Sequence, residues 1–214
     1  VRRRWPQMLI SWSRLLAGGF RDPLIGRDLL LGSLFGVALF LLFQLARTVP
    51  AWFGVAPPAP DAIATYVLGE TRHMAAMFLR SLSQGALLGV TCLFFLLLLR
   101  VVLRKQWLAV PAWIALLAFA AAGPVEAKSS WGLLLAGVQA VICAFILFRG
   151  GLLHLIAALF VWILLMRSPL TLDTSAWYAA RSFVSLAAVT AFAAYGFYTA
   201  TAGRRRFSAA FLEE

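Results

Sequence analysis

The sequence predicts an all-α integral membrane bundle of about six transmembrane helices, preceded by an amphipathic helix at the membrane interface. Three observations predict it. Hydrophobic residues make up 63% of the chain and charged residues only 13%, and the mean hydropathy is +0.89. A domain of 214 residues in water has too little interior to hide so much apolar surface. The apolar runs are continuous and Leu/Ala-rich rather than alternating, which favours helices over a barrel. Inside lipid, only such closed hydrogen-bonding patterns satisfy the backbone. The formal charge of +11 is spread in short basic groups between the apolar runs. That is how topology signals are distributed, not how a nucleic-acid stripe is built. The expected partners are therefore the bilayer and anionic lipid head groups, with no nucleic acid.

The elements follow in chain order. Residues 5–17 are too short and too polar to span. Met8, Leu9, Trp12, Leu15 and Leu16 recur at helical spacing, with Gln7, Ser11 and Arg14 on other faces. Pro6 suits a first turn and Gly18-Gly19 a stop, so an amphipathic helix on the cytoplasmic surface is expected. Asp22-Pro23 reads as an N-cap and a first-turn proline. The first spanning run covers 29–46, and Trp52 and Phe53 suit the far interface. Residues 49–61, rich in Pro, Ala and Gly, read as a loop. A moderately polar helical pattern from Ala62 passes through Glu70, Arg72, His73 and Arg80 into the second run, 85–103. No breaker separates the two, so one long helix is expected.

The third run covers 107–122 and is expected to break at Gly123-Pro124. Ser129 or Ser130 then caps the fourth, 131–148. Arg149-Gly150-Gly151 makes a very tight turn into the fifth, 152–166, which Ser168-Pro169 ends. Asp173, Thr174 or Ser175 caps the sixth, 177–200, and Arg204, Arg205 and Arg206 close it. About 20 residues cross the hydrocarbon layer, so the third and fifth runs are a little short. The expected organisation is a cytoplasmic interfacial segment at 1–27, a six-helix domain at 28–203 with an extracytoplasmic loop and helix at 48–83, and a cytoplasmic tail at 204–214.

Charge sets the expected orientation. With the N-terminus inside, the inner segments carry thirteen of the Lys and Arg residues and the outer segments six (Arg47, Arg72, Arg80, Lys128, Arg167, Arg181). By the positive-inside rule both ends face the cytoplasm, and the location expected is the inner membrane of a bacterium.

Close helix contact in lipid needs small residues. Gly32 and Gly36 form one G-x-x-x-G, and Gly85 and Gly89 another. Packing within the bundle is preferred over dimer contacts, although a homo-oligomer stays open. Ala187, Ala188, Ala191 and Ala194 give the sixth run a small-residue surface.

Chemistry is sparse. His154, in the fifth run near its cytoplasmic end, reads as a hydrogen-bonded structural histidine rather than a proton relay, because no carboxylate lies within an apolar core. Gln139, the most central polar residue, fits an interhelical hydrogen bond. Glu70 and His73 share a helical face at the Glu-x-x-His spacing, but metal sites in bundles use such clusters in pairs. Cys92 and Cys143 sit in apolar runs and read as small buried residues. His-Glu-x-x-His, a Walker loop and a Gly-x-Ser-x-Gly elbow are absent from the sequence. Arg27-Asp28 lacks the preceding His and downstream Asn of a kinase catalytic loop. The chain as given is thus expected to be non-catalytic and to need no cofactor.

The segments Val1-Arg-Arg-Arg-Trp-Pro6, Leu9-Ile-Ser-Trp-Ser-Arg-Leu-Leu-Ala-Gly18 and Arg21-Asp-Pro-Leu-Ile-Gly-Arg-Asp-Leu29 are the most distinctive stretch. With Leu99-Arg100, Leu103-Arg-Lys-Gln-Trp107 and the ending from Ala202 to Glu214, this resembles the C-terminal multi-span membrane region of bacterial serine/threonine protein kinases of the acidobacterial type. The resemblance implies a cytoplasmic kinase domain upstream in cis, and no kinase active-site residue has a counterpart here. Val1, followed at once by three arginines, fits a piece of a longer protein. The function expected is a membrane-anchoring and sensory domain of a signalling protein. A small transporter or permease subunit is the alternative, and an intramembrane enzyme ranks last.

Overall fold

A computed structural model describes residues 5–52, 71–126, 130–171, 173–176 and 178–202. Among them there are seven α-helices and no strand: α1 (Trp5–Leu16), α2 (Pro23–Trp52), α3 (Thr71–Leu103), α4 (Gln106–Glu126), α5 (Ser130–Gly150), α6 (Leu152–Arg167) and α7 (Ala179–Ala202). Four stretches are long and apolar enough to cross a membrane: Pro23–Val49, Arg72–Leu103, Gly132–Gly150 and Ala179–Thr201. Two more apolar stretches, Trp107–Ala120 and Leu152–Arg167, are shorter. Three buried hydroxyls bond back to their own helix, whereas those of Ser81 and Ser185 have no partner. Ser33 donates to the Leu29 carbonyl at 2.7 Å, Ser168 to Leu164 at 2.7 Å, and Thr199 to Tyr195 at 2.8 Å.

Several sequence expectations need correction. Gly123-Pro124 does not break α4, which runs on to Glu126. A proline inside a helix loses one hydrogen bond, and a helix packed on its neighbour can absorb that loss. Residues 49–52 belong to α2 rather than to the loop; the remainder of that loop lies outside the described residues. Asp173 does not cap the last helix. Its carboxylate accepts from the Ser175 amide at 2.9 Å and hydroxyl at 2.6 Å, closing a turn before α7 starts at Ala179. A short aspartate bonds the amide two residues on as readily in a turn as at a helix start.

Other signals hold. Asp22 caps α2: its carboxylate accepts from the Leu24 amide at 2.9 Å, with Pro23 as the first helical residue. The same carboxylate takes the Arg14 guanidinium at 2.6 Å, folding α1 back over the turn. The Leu24 amide, and then Arg14, hold the Asp22 carboxyl below the usual range. The α3 pattern does run through the expected junction as one helix, from Thr71 to Leu103.

α6 sits at the centre. Leu155, Ala158, Val161 and Leu164 are wholly buried, as are most of its other side chains. Its neighbours approach through glycine. A methyl placed on Gly32 or Gly36 of α2 would lie 2.6 Å from Ala157 Cβ or from the Ala158 carbonyl. One on Gly85 or Gly89 of α3 would lie 2.9 Å from the Phe160 amide nitrogen or 2.5 Å from Ile156. α2 and α7 cross at Gly26 and Gly196, with equally little room. Trp113 of α4, fully buried, donates from Nε1 to the Cys92 carbonyl of α3 at 2.9 Å.

These contacts fix direction. Gly32 meets Ala157 and Gly36 meets Val161, so α2 and α6 are parallel. Gly85 meets Phe160 and Gly89 meets Ile156, so α3 runs against α6. Gly26 meets Thr199, and Gly196 meets Leu30, so α7 runs against α2. Trp113, early in α4, stacks edge-on with Phe148, late in α5, so those two are antiparallel. The starts of α2, α4 and α6 therefore share one end of the bundle with the last turns of α3, α5 and α7. α1 joins that end: Trp12 and Leu15 pack on the core there, and the Tyr195 hydroxyl of α7 donates to the Phe20 carbonyl at 2.8 Å.

Candidate functional site

One cleft of about 660 Å³ opens at that end, between α2, α5 and α6. From α2 it takes Arg27, Asp28, Leu31 and Phe35, a spacing that puts all four on one helical face. α5 gives Phe145, Phe148 and Arg149, again one face, and the α5–α6 turn gives Gly150 and Gly151. His154, one turn into α6, closes the floor. Two features of the turn make this possible. Gly151 sits at φ 86° and ψ −171°, where a side chain is strained. Gly150 lies so near the imidazole that any Cβ would collide with His154 Nδ1.

His154 is 4% exposed, and neither ring nitrogen has a hydrogen-bond partner. The Leu31 carbonyl lies close to the ring but outside hydrogen-bond geometry. The Phe35 ring packs against the imidazole, with centroids 5.6 Å apart. This differs from the expectation of a hydrogen-bonded structural histidine: the close packing of α2 and the α5–α6 turn on α6 buries the ring with both nitrogens unpaired.

Asp28 is buried in the same region, with Ser11 of α1 near its carboxylate. The sequence assigns Asp28 to the edge of a run, not to an apolar core. The structure brings it to the histidine's cleft because the starts of α2 and α6 coincide. Arg27 and Arg149 remain exposed at the mouth, and Arg149 leans over Phe145 with its guanidinium carbon 6.0 Å from the ring centroid. The sequence marks Arg27 and Arg149 as topology charges and Arg27-Asp28 as an incomplete kinase-loop match, with nothing to join the three in one site. The tight Arg149-Gly150-Gly151 turn was the one signal that would have placed Arg149 beside His154.

The other singled-out residues lie elsewhere. Gln139 is half-buried in the middle of α5, outside the cleft. His73 is half-buried in the first turn of α3, and Glu70 lies outside the described residues. Among the described residues no three His, Cys, Asp or Glu side chains gather as a metal site. Gly32, Gly36, Gly85 and Gly89 all face α6. At the far end, Arg167 of α6 donates to Gln84 of α3. The cleft thus offers two cations, a carboxylate, an imidazole with free bonding capacity and three phenyl rings. That set can hold a charged group, with apolar surface beside it.

No protein-family model matches the chain, and neither a curated protein nor a solved structure matches it significantly.

Proposed function

We propose that this chain is a six-span membrane domain that holds an attached soluble domain at the inner leaflet and passes a signal to it. The single observation that supports it most is the outer surface. Leu87 of α3 is 67% exposed, Val101 75%, and Phe119 of α4 73%. Residues of this kind cover the outside of a bundle whose polar groups are mostly turned inward or to the ends. In water such a surface aggregates; in acyl chains it is solvated. The alternating directions of α2 to α7 fit six crossings, with α4 and α6 as the shorter two. α6 is walled in by its neighbours, so its length need not match the bilayer.

The basic bias favours a cytoplasmic location for the end that carries the cleft. Arg14, Arg21, Arg27, Arg100, Arg104, Lys105 and Arg149 lie there; Arg47, Arg72, Arg80, Arg167 and Arg181 lie at the other. The link to a kinase domain rests on the sequence resemblance alone.

Cysteine labelling in intact bacterial cells tests the topology. In a Cys92→Ala, Cys143→Ala background, Lys105→Cys is expected to resist an impermeant maleimide until the membrane is opened. Asp173→Cys is expected to react at once. The reverse pattern rejects the orientation, and equal reactivity rejects the odd number of crossings between these two sites. The signalling role is tested on the intact gene. An upstream kinase domain in frame supports it; a reading frame opening close to Val1 without one rejects it.

A further inference from the structure

We infer that the cleft between α2, α5 and α6 is a binding site for a phosphate group, held by Arg27, Arg149 and His154. Two guanidiniums from different helices line one cleft. Guanidinium donors match phosphate oxygens in number and geometry. The floor is an imidazole that is 4% exposed and has no hydrogen-bond partner for either nitrogen. A buried polar group left in that state is costly, and native proteins rarely keep one without use. A phosphate oxygen in the plane of the ring, beside a nitrogen that a small turn of the imidazole opens to the cleft, would accept the hydrogen bond that the protein does not supply. Gly150 leaves the space that the ring occupies.

The same cleft is lined by Leu31, Phe35, Phe145 and Phe148. This apolar wall continues outward over Leu34 and Val141, both exposed on the flanking helices. A phosphate carrying an acyl tail fits such a site, and a free phosphate fits its polar part. Asp28 is the one ionisable group in the cleft that opposes an anion. It sits next to Arg27 in sequence and shares the cleft with both arginines, so the cationic groups outnumber it. Only the lipid source of the phosphate rests on the membrane reading above; the free-phosphate source does not.

The test uses the full chain, purified in detergent and in nanodiscs. One arm titrates inorganic phosphate and follows thermal stability. The other compares phosphatidylcholine nanodiscs with and without phosphatidylglycerol, and counts retained phosphatidylglycerol by native mass spectrometry. The wild type is expected to respond in at least one arm, and which arm responds names the source. The double variant Arg27→Gln, Arg149→Gln is expected to weaken that response about tenfold or more. A control that removes the same charge at the other end, Arg47→Gln with Arg181→Gln, is expected to stay within about twofold. His154→Gln is expected to weaken binding, and Asp28→Asn to tighten it by removing repulsion. Both arginines are exposed, so their variants are expected to elute as the wild type does. No response in either arm, an equal loss in the control, or weaker binding by Asp28→Asn overturns the proposal. None of these outcomes depends on the labelling pattern that tests the topology.

Discussion

α6 and α3 are both apolar helices, and they live in opposite surroundings. α6 is enclosed on nearly every side, with Leu155, Val161 and Leu164 fully buried. α3 buries a narrow stripe around Gly85 and Gly89 and leaves Leu79, Leu87, Phe94 and Val101 exposed. Apolarity alone does not decide which of them is enclosed, because lipid and protein interior are about equally apolar. What separates them is the neighbours. Glycines on α2 and α3 bring those backbones against α6, and a helix approached closely from several sides becomes the core. Apolarity says that a helix avoids water; small residues on the facing helices say which helix is enclosed.

The sharpest way to break this comparison is to fill the approach. Gly36→Leu would push four carbons into the Ala158 carbonyl and Val161, and backbone cannot yield as a flexible side chain can. The expected outcome is loss of the monodisperse peak by size-exclusion chromatography in detergent. A Gly36→Leu protein that elutes and melts like the wild type would show that α2 does not need to approach α6.

A smaller effect comes from hollowing the core. Leu155→Ala and Leu164→Ala each leave a cavity in fully buried surroundings, with a cost of about 2 kcal/mol or more. Leu87→Ala on α3 removes the same atoms from a side chain that is largely exposed, so the surrounding solvent fills the space. A stability change within about 0.5 kcal/mol is expected there. Unfolding in mixed micelles, with all three variants in parallel, measures the difference. Equal losses would mean that α3 also faces protein.

The sequence made the helices legible but not their neighbours. Continuous Leu/Ala runs located α4 to α7 to within about four residues, but the first run fell six residues short of α2 at each end and the second covered only the later part of α3; the short third and fifth runs correspond to the two short apolar stretches. Asp22-Pro23 marked the start of α2 because a cap needs only local chemistry. Gly123-Pro124 misled, because whether a proline ends a helix depends on what packs beside it. The cleft was not legible for a different reason. Its residues come from positions 27–35, 145–151 and 154, and only the parallel alignment of α2 with α6 unites them. Linear distance hid Asp28 from His154, although the glycines that set the alignment, Gly32 and Gly36, were recognised.

The α5–α6 turn sharpens the comparison at one residue. Gly151 holds φ 86° at the entry to the enclosed helix. Gly151→Ala would place a Cβ in a region that L-residues avoid, at a cost of about 1–3 kcal/mol. Gly18 has nearly the same φ at the end of α1, but a Cβ added there would meet nothing within 4 Å. Gly18→Ala can therefore relax the local chain, and its expected cost is about 1 kcal/mol. Thermal midpoints of the two variants in the same detergent check the order. A larger loss at Gly18 would show that the turn into α6 is the more adaptable of the two.

The smallest effect distinguishes a contact made by charge from one made by packing. The Asp22 carboxyl lies below its ordinary value of 3.8 because the Leu24 amide and then Arg14 favour the ionised form. A carboxyl depressed on folding stabilises the folded form above its unfolded pKa, and that contribution fades as pH falls through the lower folded value. The corner between α1 and α2 is thus expected to loosen below about pH 4, where unfolded-chain aspartate begins to take up protons. The pair is substantially solvent-exposed, so screening keeps the effect under about 1 kcal/mol. Amide exchange over residues 17–26, corrected for intrinsic rates, should rise on acidification, while the α6 amides, held by packing without a titrating partner of this kind, should not. Asp22→Asn keeps a capping oxygen and removes the charge. It should abolish the pH dependence while preserving most of the cap; if the corner still loosens in acid, the ion pair with Arg14 is not what holds α1 against the bundle.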